Sequence, residues 1–190
     1  VQSGNSRILE RMNRTYDREW YMDRIAAIRR ILPECAISTD IIAGFCGESE
    51  AEHQDTLDLM AEVRYEMAYM FHYSERPKTL AERRYEDNVP LADKKRRLAE
   101  IIKLQTGISL ERNQSDLGKV HRVLVEKTAK RSAEQLCGRN DQNKMVVFAR
   151  EGYKPGQYVD VLVEDCPPAT LMGRVVALAE GPGQPVAVTA

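Results

Sequence analysis

The apolar residues Tyr21, Ile25, Ile28 and Leu32 recur at spacings of four, three and four. That period sets them on one face of a helix over 17–32, which Pro33 ends. Residues 36–43 read next as a short, largely apolar strand bounded by turn residues, of the kind buried on both faces of a parallel sheet. Ser49 and Glu52 have the S-x-x-E spacing of a capping box, in which hydroxyl and carboxylate each satisfy an amide left open at a helix start. A helix over about 50–63 follows, and 67–73 reads as another strand. The order helix, strand, helix, strand is the pattern of a parallel α/β unit.

After a polar loop, Pro90 stands where a first helical position is expected. Leu98, Ile101, Ile102, Gln105 and Ile108 then mark one face of a long helix up to about Asn113. Beyond Ser115 the pattern changes to short strands: Val123 with Val125, then 145–148, then Val159, Val161 and Val163, then Leu171, Gly173 and Val175. Pro155-Gly156 is the pair a type II turn prefers, because proline fixes the first corner and glycine accepts the positive φ of the second. Such a string of strands suggests a small closed barrel. The organisation expected is therefore an α/β part over 1–88, a connecting helix over 89–114, a β-barrel over 115–178 and a loose tail over 179–190.

Lys plus Arg number 28 against 29 acidic residues, which excludes a protein that coats nucleic acid by net charge. Any such contact must be a local patch, and the Lys94-Lys95-Arg96-Arg97 run is one candidate, with a solvated helix face as the competing explanation. No apolar run reaches the length needed to span a bilayer and no signal peptide opens the chain, so no membrane partner and a cytoplasmic location are expected. Cys35, Cys46, Cys137 and Cys166 form no C-x-x-C pair, and His53, His72 and His121 have no metal spacing, so buried thiols and no metal site are expected. The chain begins at Val1 in what reads as an extended segment, as a fragment of something longer would.

Four strings converge on one family: VQSGNSRILERMNRTY, TDIIAGFCGESE, FHYSERPKT and GRNDQNKMVVF. In this order, over about residues 1–178, they resemble the radical S-adenosylmethionine methylthiotransferases, and more narrowly the tRNA branch of the MiaB type. The resemblance implies a C-terminal part of a partial (β/α) TIM-like radical SAM barrel, followed by a small antiparallel, OB-like TRAM barrel that binds RNA. The family also has an N-terminal domain with an auxiliary cluster and a C-x-x-x-C-x-x-C loop for a second one. Neither is present, so the ligands of both 4Fe–4S clusters are absent from this chain.

The same resemblance implies a role for particular residues. The QSG segment, with Ser3 and Gly4, is expected to face S-adenosylmethionine, and Arg14 of the M-x-R-x-Y pattern to meet its carboxylate. Asp40 lies within an apolar strand, where a charge needs a partner such as Arg14 or a ligand group. Ala43 and Gly44 keep bulk off an elbow at the strand end, so that adenine or ribose could approach a helix start with free amides. An ordinary strand-to-helix turn is the competing explanation. Tyr73, Ser74 and Arg76 are candidates to line the substrate base, although Lys78 stands where the family commonly has glycine. In the barrel, Lys119, Arg122, Arg139 and Lys144, flanked by Asn140 and Asn143, are candidates for the phosphates of a tRNA anticodon stem-loop. Residues 115–176 hold ten Lys plus Arg against eight Asp plus Glu, so attraction there requires clustering on one face.

The activity implied is methylthiolation of C2 of N6-isopentenyladenosine beside the anticodon, by a full-length monomer supplied by an electron donor, with this chain alone inactive. A non-enzymatic RNA-binding protein with a TRAM-like barrel is the alternative. A third possibility is pairing of two copies through an open sheet edge.

Overall fold

Residues 1–3 run beside the first strand and lead into α1 (Ser6–Arg11), capped by Asn5, whose side chain accepts from the Ile8 N–H. The computed structural model describes residues 1–167 and 169–179; of the tail expected over 179–190, Ala179 instead ends a strand and the rest lies outside the described residues. The chain divides into two units, Val1–Ser109 and Leu110–Ala190. In the first, α2 (Arg18–Ile31) is followed by β1 (Ser38–Ala43), α3 (Glu50–Val63), β2 (Met67–His72), α4 (Leu80–Arg84) and α5 (Leu91–Gln114). The strands pair in parallel, from Ser38↔Met67 to Ala43↔His72.

One face of this two-stranded sheet carries Ile41, Ala43 and Ala68 into a core with Ile25, Leu59, Met60, Tyr65 and Ile101. The other does not. Tyr69 and Phe71 are 55% and 57% exposed, and Asp40 is exposed beside them. This corrects the expectation of a strand buried on both faces, and Asp40 is not a buried charge in need of a partner. Two apolar positions of the helical stripes also fall outside the core: Leu32 lies past the end of α2, and Ile102 of α5 is half exposed. Ile101 is fully buried in the first unit and Gln105 donates to the Tyr65 carbonyl at 2.8 Å, so most of α5 packs within that unit instead of serving only as a connector.

The capping box of α3 forms as expected: Ser49 Oγ accepts from the Glu52 N–H at 3.3 Å, and Glu52 accepts from the Ser49 N–H at 2.8 Å. Arg7 also donates to Glu52 at 2.7 Å, and this contact first, with the Ser49 bonds, draws the Glu52 carboxyl down to about 2. A depressed carboxyl stabilises the fold above its unfolded value of about 4.3, and that contribution fades as pH falls through the folded value. Glu52→Gln is therefore expected to be less stable than the parent at pH 7 and to approach it near pH 2. Urea unfolding followed across that range checks this; a gap that stays constant would remove the ion pair from the account.

The second unit is a closed barrel of β3 (Val120–Thr128), β4 (Gln135–Asn140), β5 (Met145–Ala149), β6 (Tyr158–Asp165) and β7 (Leu171–Ala179), in the order β3-β4-β5-β7-β6. Its interior is filled by Val123, Val125, Leu136, Val146, Phe148, Val159, Val161, Val163 and Leu171. All ladders are antiparallel except β5 with β7, which pair in parallel. Closing so small a ring brings backbones very near one another. A Cβ on Gly138 would stand 1.8 Å from the Leu124 carbonyl oxygen, and one on Gly173 2.0 Å from that of Leu162. The Pro155-Gly156 turn forms with Gly156 at φ +92° and Gln157 N–H donating to the Lys154 carbonyl. Among the described residues no helix is long and apolar enough to cross a membrane.

Candidate functional site

At the end of β1, Gly44 and Gly47 both take left-handed φ, +72° and +74°. The space that Gly44 leaves is filled from inside the protein, since a Cβ there would stand 2.4 Å from Lys94 Cγ. The amides are used as well. Gly44 N–H donates to Glu48 at 2.7 Å, Gly47 N–H to Asn88 at 2.7 Å, and the helix start is closed by its capping box. The expectation of an open elbow with free amides is thus corrected: the glycine is required by a positive φ and by the α5 side chain lying on it.

That arrangement also accounts for the basic run. Lys94 is buried and pairs with Asp87 at 2.6 Å; Arg97 is buried against Glu48 at 3.0 Å and Glu50 at 3.1 Å; Arg96 bridges Glu50 and Glu100. Arg96 first, then Arg97, draws the Glu50 carboxyl down to about 2. Lys94 and Arg97 therefore brace the fold from inside, while the ion-paired Arg96 and Lys95, which has no ion pair among the described residues, are exposed.

Ser3 is fully buried, with its hydroxyl 3.4 Å from that of Thr56, and Gly4 N–H donates to Thr56 Oγ1 at 2.9 Å. A Cβ on Gly4 would stand 2.3 Å from the Asp55 carbonyl oxygen, so this glycine lets the chain touch α3. Arg14 is exposed and lines a polar depression of about 610 Å³ with Tyr16, Asp17 and Trp20. Burial pushes the Val1 amino group down, with Asp40 opposing and Arg14 adding to that shift, so Arg14 and Asp40 both act on one corner of the sheet. Gly44 is four residues beyond Asp40, about 13 Å along an extended strand.

Tyr73, Ser74 and Arg76 are brought together. They line one pocket of about 540 Å³ with Ile42, Phe71 and Leu98, a volume in the range of small-molecule sites. Tyr73 packs edge-on against Phe45 at 4.9 Å, and burial, reinforced by the neighbouring Cys46, pushes its hydroxyl well above the usual tyrosine range. Ser74 and Arg76 are exposed at the same pocket. Lys78, at the position where the resemblance led glycine to be expected, takes φ +68°, the left-handed conformation that glycine adopts without strain. The hydrophobic lining is gathered from β1 (Ile42), β2 (Met70, Phe71), α4 (Ala81) and α5 (Leu98), positions too far apart along the chain for local periodicity to group them.

In the barrel, the nominated cations are engaged. Lys144 is mostly buried and donates to Asp116 at 2.6 Å. Asp116 also lies 3.4 Å from His121 and 3.5 Å from the exposed Lys119. Although burial alone would raise the Asp116 carboxyl, His121 and Lys144 hold it far below its usual range. Arg122 pairs with Asp160 at 3.3 Å, while Arg139 bonds the Asn143 side chain and backbone and lies 3.7 Å from Glu126. Asn140 is buried and closes the turn by accepting from Lys144 N–H. Arg139 and Lys144 therefore do not form a shared exposed face. All four cysteines are free thiols, and among the described residues no three metal-ligating side chains gather, so these residues do not fit an iron–sulfur cluster.

The barrel is a TRAM domain: the family model of that description matches residues 114–176. Over nearly its whole length, across both units, the chain is homologous to the tRNA-2-methylthio-N(6)-dimethylallyladenosine synthases. It is 57% identical over 176 residues to the enzyme of that name from Amoebophilus asiaticus, covering 92% of this chain and 36% of that protein. The corresponding protein of Parabacteroides distasonis is 54% identical, with 93% and 38% covered, and that of Prosthecochloris aestuarii 53% identical, with 95% and 41% covered. The resemblance read from the motifs is borne out. The chain spans about two fifths of the length of these relatives. Among solved structures, coproporphyrinogen III oxidase from Escherichia coli, described as a radical SAM enzyme, matches with a TM-score of 0.49 at 20% identity over 74% of this chain and 39% of that one, a likeness too slight to bear on function.

Proposed function

We propose that this chain is part of a tRNA-modifying enzyme that methylthiolates C2 of N6-isopentenyladenosine next to the anticodon by radical S-adenosylmethionine chemistry. The observation that carries it is identity above one half with synthases of that name, extending through the α/β unit as well as the barrel. A free-standing RNA-binding module would account for the barrel alone. The whole enzyme works in the cytoplasm as a monomer, with an electron donor and two 4Fe–4S clusters. S-adenosylmethionine, when bound, supplies the radical that removes the C2 hydrogen. The four cysteines of this chain are free thiols that do not gather into a cluster site among the described residues.

Within that enzyme, the residues of this chain bind and orient. The pocket of Phe71, Tyr73, Ser74 and Arg76 takes the isopentenylated base, its apolar wall excluding water and Arg76 meeting the nearby phosphate or sugar. Expression of the longer protein containing this chain, in bacteria that lack their own synthase, should restore 2-methylthio nucleosides detectable by mass spectrometry of digested tRNA. Their absence would sink the proposal. Arg76→Ala in that protein should raise the KM for tRNA by about tenfold, the loss of one charge-assisted hydrogen bond, with kcat changed much less. An unchanged KM would remove Arg76 from the substrate.

A further inference from the structure

The barrel holds ten cationic side chains, and the structure sorts them into two groups of five. Lys119, Arg122, Arg139, Lys144 and Arg174 each face a carboxylate within 4 Å. The other five are Lys127, Lys130, Arg131, Arg150 and Lys154. All five are exposed, and none forms an ion pair among the described residues.

These five also lie together. The end of β3 pairs with the start of β4 at Thr128↔Leu136, and Ala129 N–H donates to the Gln135 carbonyl, which closes the hairpin carrying Lys127, Lys130 and Arg131. The end of β5 is fastened to the same hairpin: Gln135 pairs with Ala149, Arg150 N–H donates to the Glu134 carbonyl, and the Arg150 guanidinium donates to Thr128 Oγ1. The turn after β5 is tied back to β3 by Gly156 N–H on the Val125 carbonyl, at 2.8 Å, which brings in Lys154. Carboxylates at this end are Glu126, which Arg139 engages, and the exposed Glu134 and Glu151. The opposite end, by contrast, keeps its cations on Asp116 and Glu164.

We propose that the RNA contact of the barrel is this end, formed by the β3–β4 hairpin and the β5–β6 turn, which grips the phosphodiester backbone through Lys127, Lys130, Arg131, Arg150 and Lys154. It rests on the reading that the partner is tRNA. Long, solvated cations on two adjoining loops suit a polyanion whose charges repeat along a strand. A single small anion would need converging donors. The chain as a whole is near neutral, so such a local patch is the only way charge can draw RNA to it.

The test is titration of a fluorescent anticodon stem-loop RNA with the full 190-residue chain at several salt concentrations. One variant is Lys130→Glu with Arg131→Glu and Lys154→Glu. The control, Lys119→Glu with Arg139→Glu and Arg174→Glu, makes the same change in net charge. Circular dichroism melts establish folding, and Lys130→Ala with Arg131→Ala serves if the reversal does not fold. The hairpin variant should lose at least about tenfold in affinity near 0.1 M salt, with the slope of log K against log salt smaller by about two. The control should stay within about twofold. Equal losses in both, or a hairpin variant that binds like wild type, would overturn the site while leaving tRNA as the partner. Failure of the wild type to bind the stem-loop would overturn both readings, as would capture by phosphatidylserine vesicles with none by RNA.

Discussion

Arg97→Met is expected to destabilise the first unit by about 3–5 kcal/mol at pH 7, because it strands a carboxylate where water cannot reach it. The Arg97 and Glu48 side chains are 7% and 1% exposed, and the guanidinium donates to Glu48 through both the side chain and the backbone carbonyl. Burial pushes the Glu48 carboxyl up; the Gly44 amide and Arg97 hold it down. Without Arg97 the folded value rises further above the unfolded one. A raised carboxyl favours the fold below its unfolded value and loses that advantage as pH rises through its folded value. The gap between variant and parent should therefore narrow as pH falls toward about 4, and Glu48→Gln added to Arg97→Met should recover most of the loss. Urea denaturation at a series of pH values measures both. A gap independent of pH would show that lost packing of the arginine stem, and not the orphaned charge, sets the effect.

Gly138→Ala should cost at least about 3 kcal/mol, the upper range for forcing atoms into a filled interior. The added Cβ meets a backbone carbonyl at 1.8 Å, which no rotamer change relieves. Gly173→Ala meets the same obstacle at 2.0 Å on the other side of the ring. Gly107, within α5, has nothing within 4 Å of such an atom, and its alanine variant should instead gain about 0.5–1 kcal/mol. Thermal unfolding of the three variants, compared with the parent, checks the contrast. Similar stability for Gly138→Ala and the parent would mean that the two strands can separate without loss.

Much of this architecture was legible because its signals are local. The stripe of Ile25 and Ile28, the Ser49–Glu52 box and the valines of β6 each announce their element within a few residues, and the observed bounds agree to within about two positions. β4 was not legible. Gln-Leu-Cys-Gly-Arg-Asn offers little alternation, and its Gly138 looks like a breaker until the Leu124 carbonyl is seen pressing against it. The short helices α1 and α4 likewise lack a full apolar period. Of the site, the neighbours Tyr73, Ser74 and Arg76 could be grouped from sequence because they adjoin along the chain. The fates of Gly44 and Lys144 could not, since each depends on a partner 28 or more residues away, on Lys94 and Asp116 respectively.

The parallel ladder of the barrel has a consequence for how the ring is assembled. It joins β5 to β7 through only Val146↔Leu171 and Val147↔Met172, whereas β3–β4, β4–β5 and β6–β7 are hairpins between neighbours in sequence. The ring is thus a bracelet of two locally wound pieces, one of three strands and one of two, latched at β3–β6 and clasped at β5–β7. Each piece can complete its own pairing while the other is unformed, which leaves the long-range closure to a late step. Once formed, the bracelet has its weakest fastening at the clasp, and the interior valines first meet water there, not at the hairpin turns.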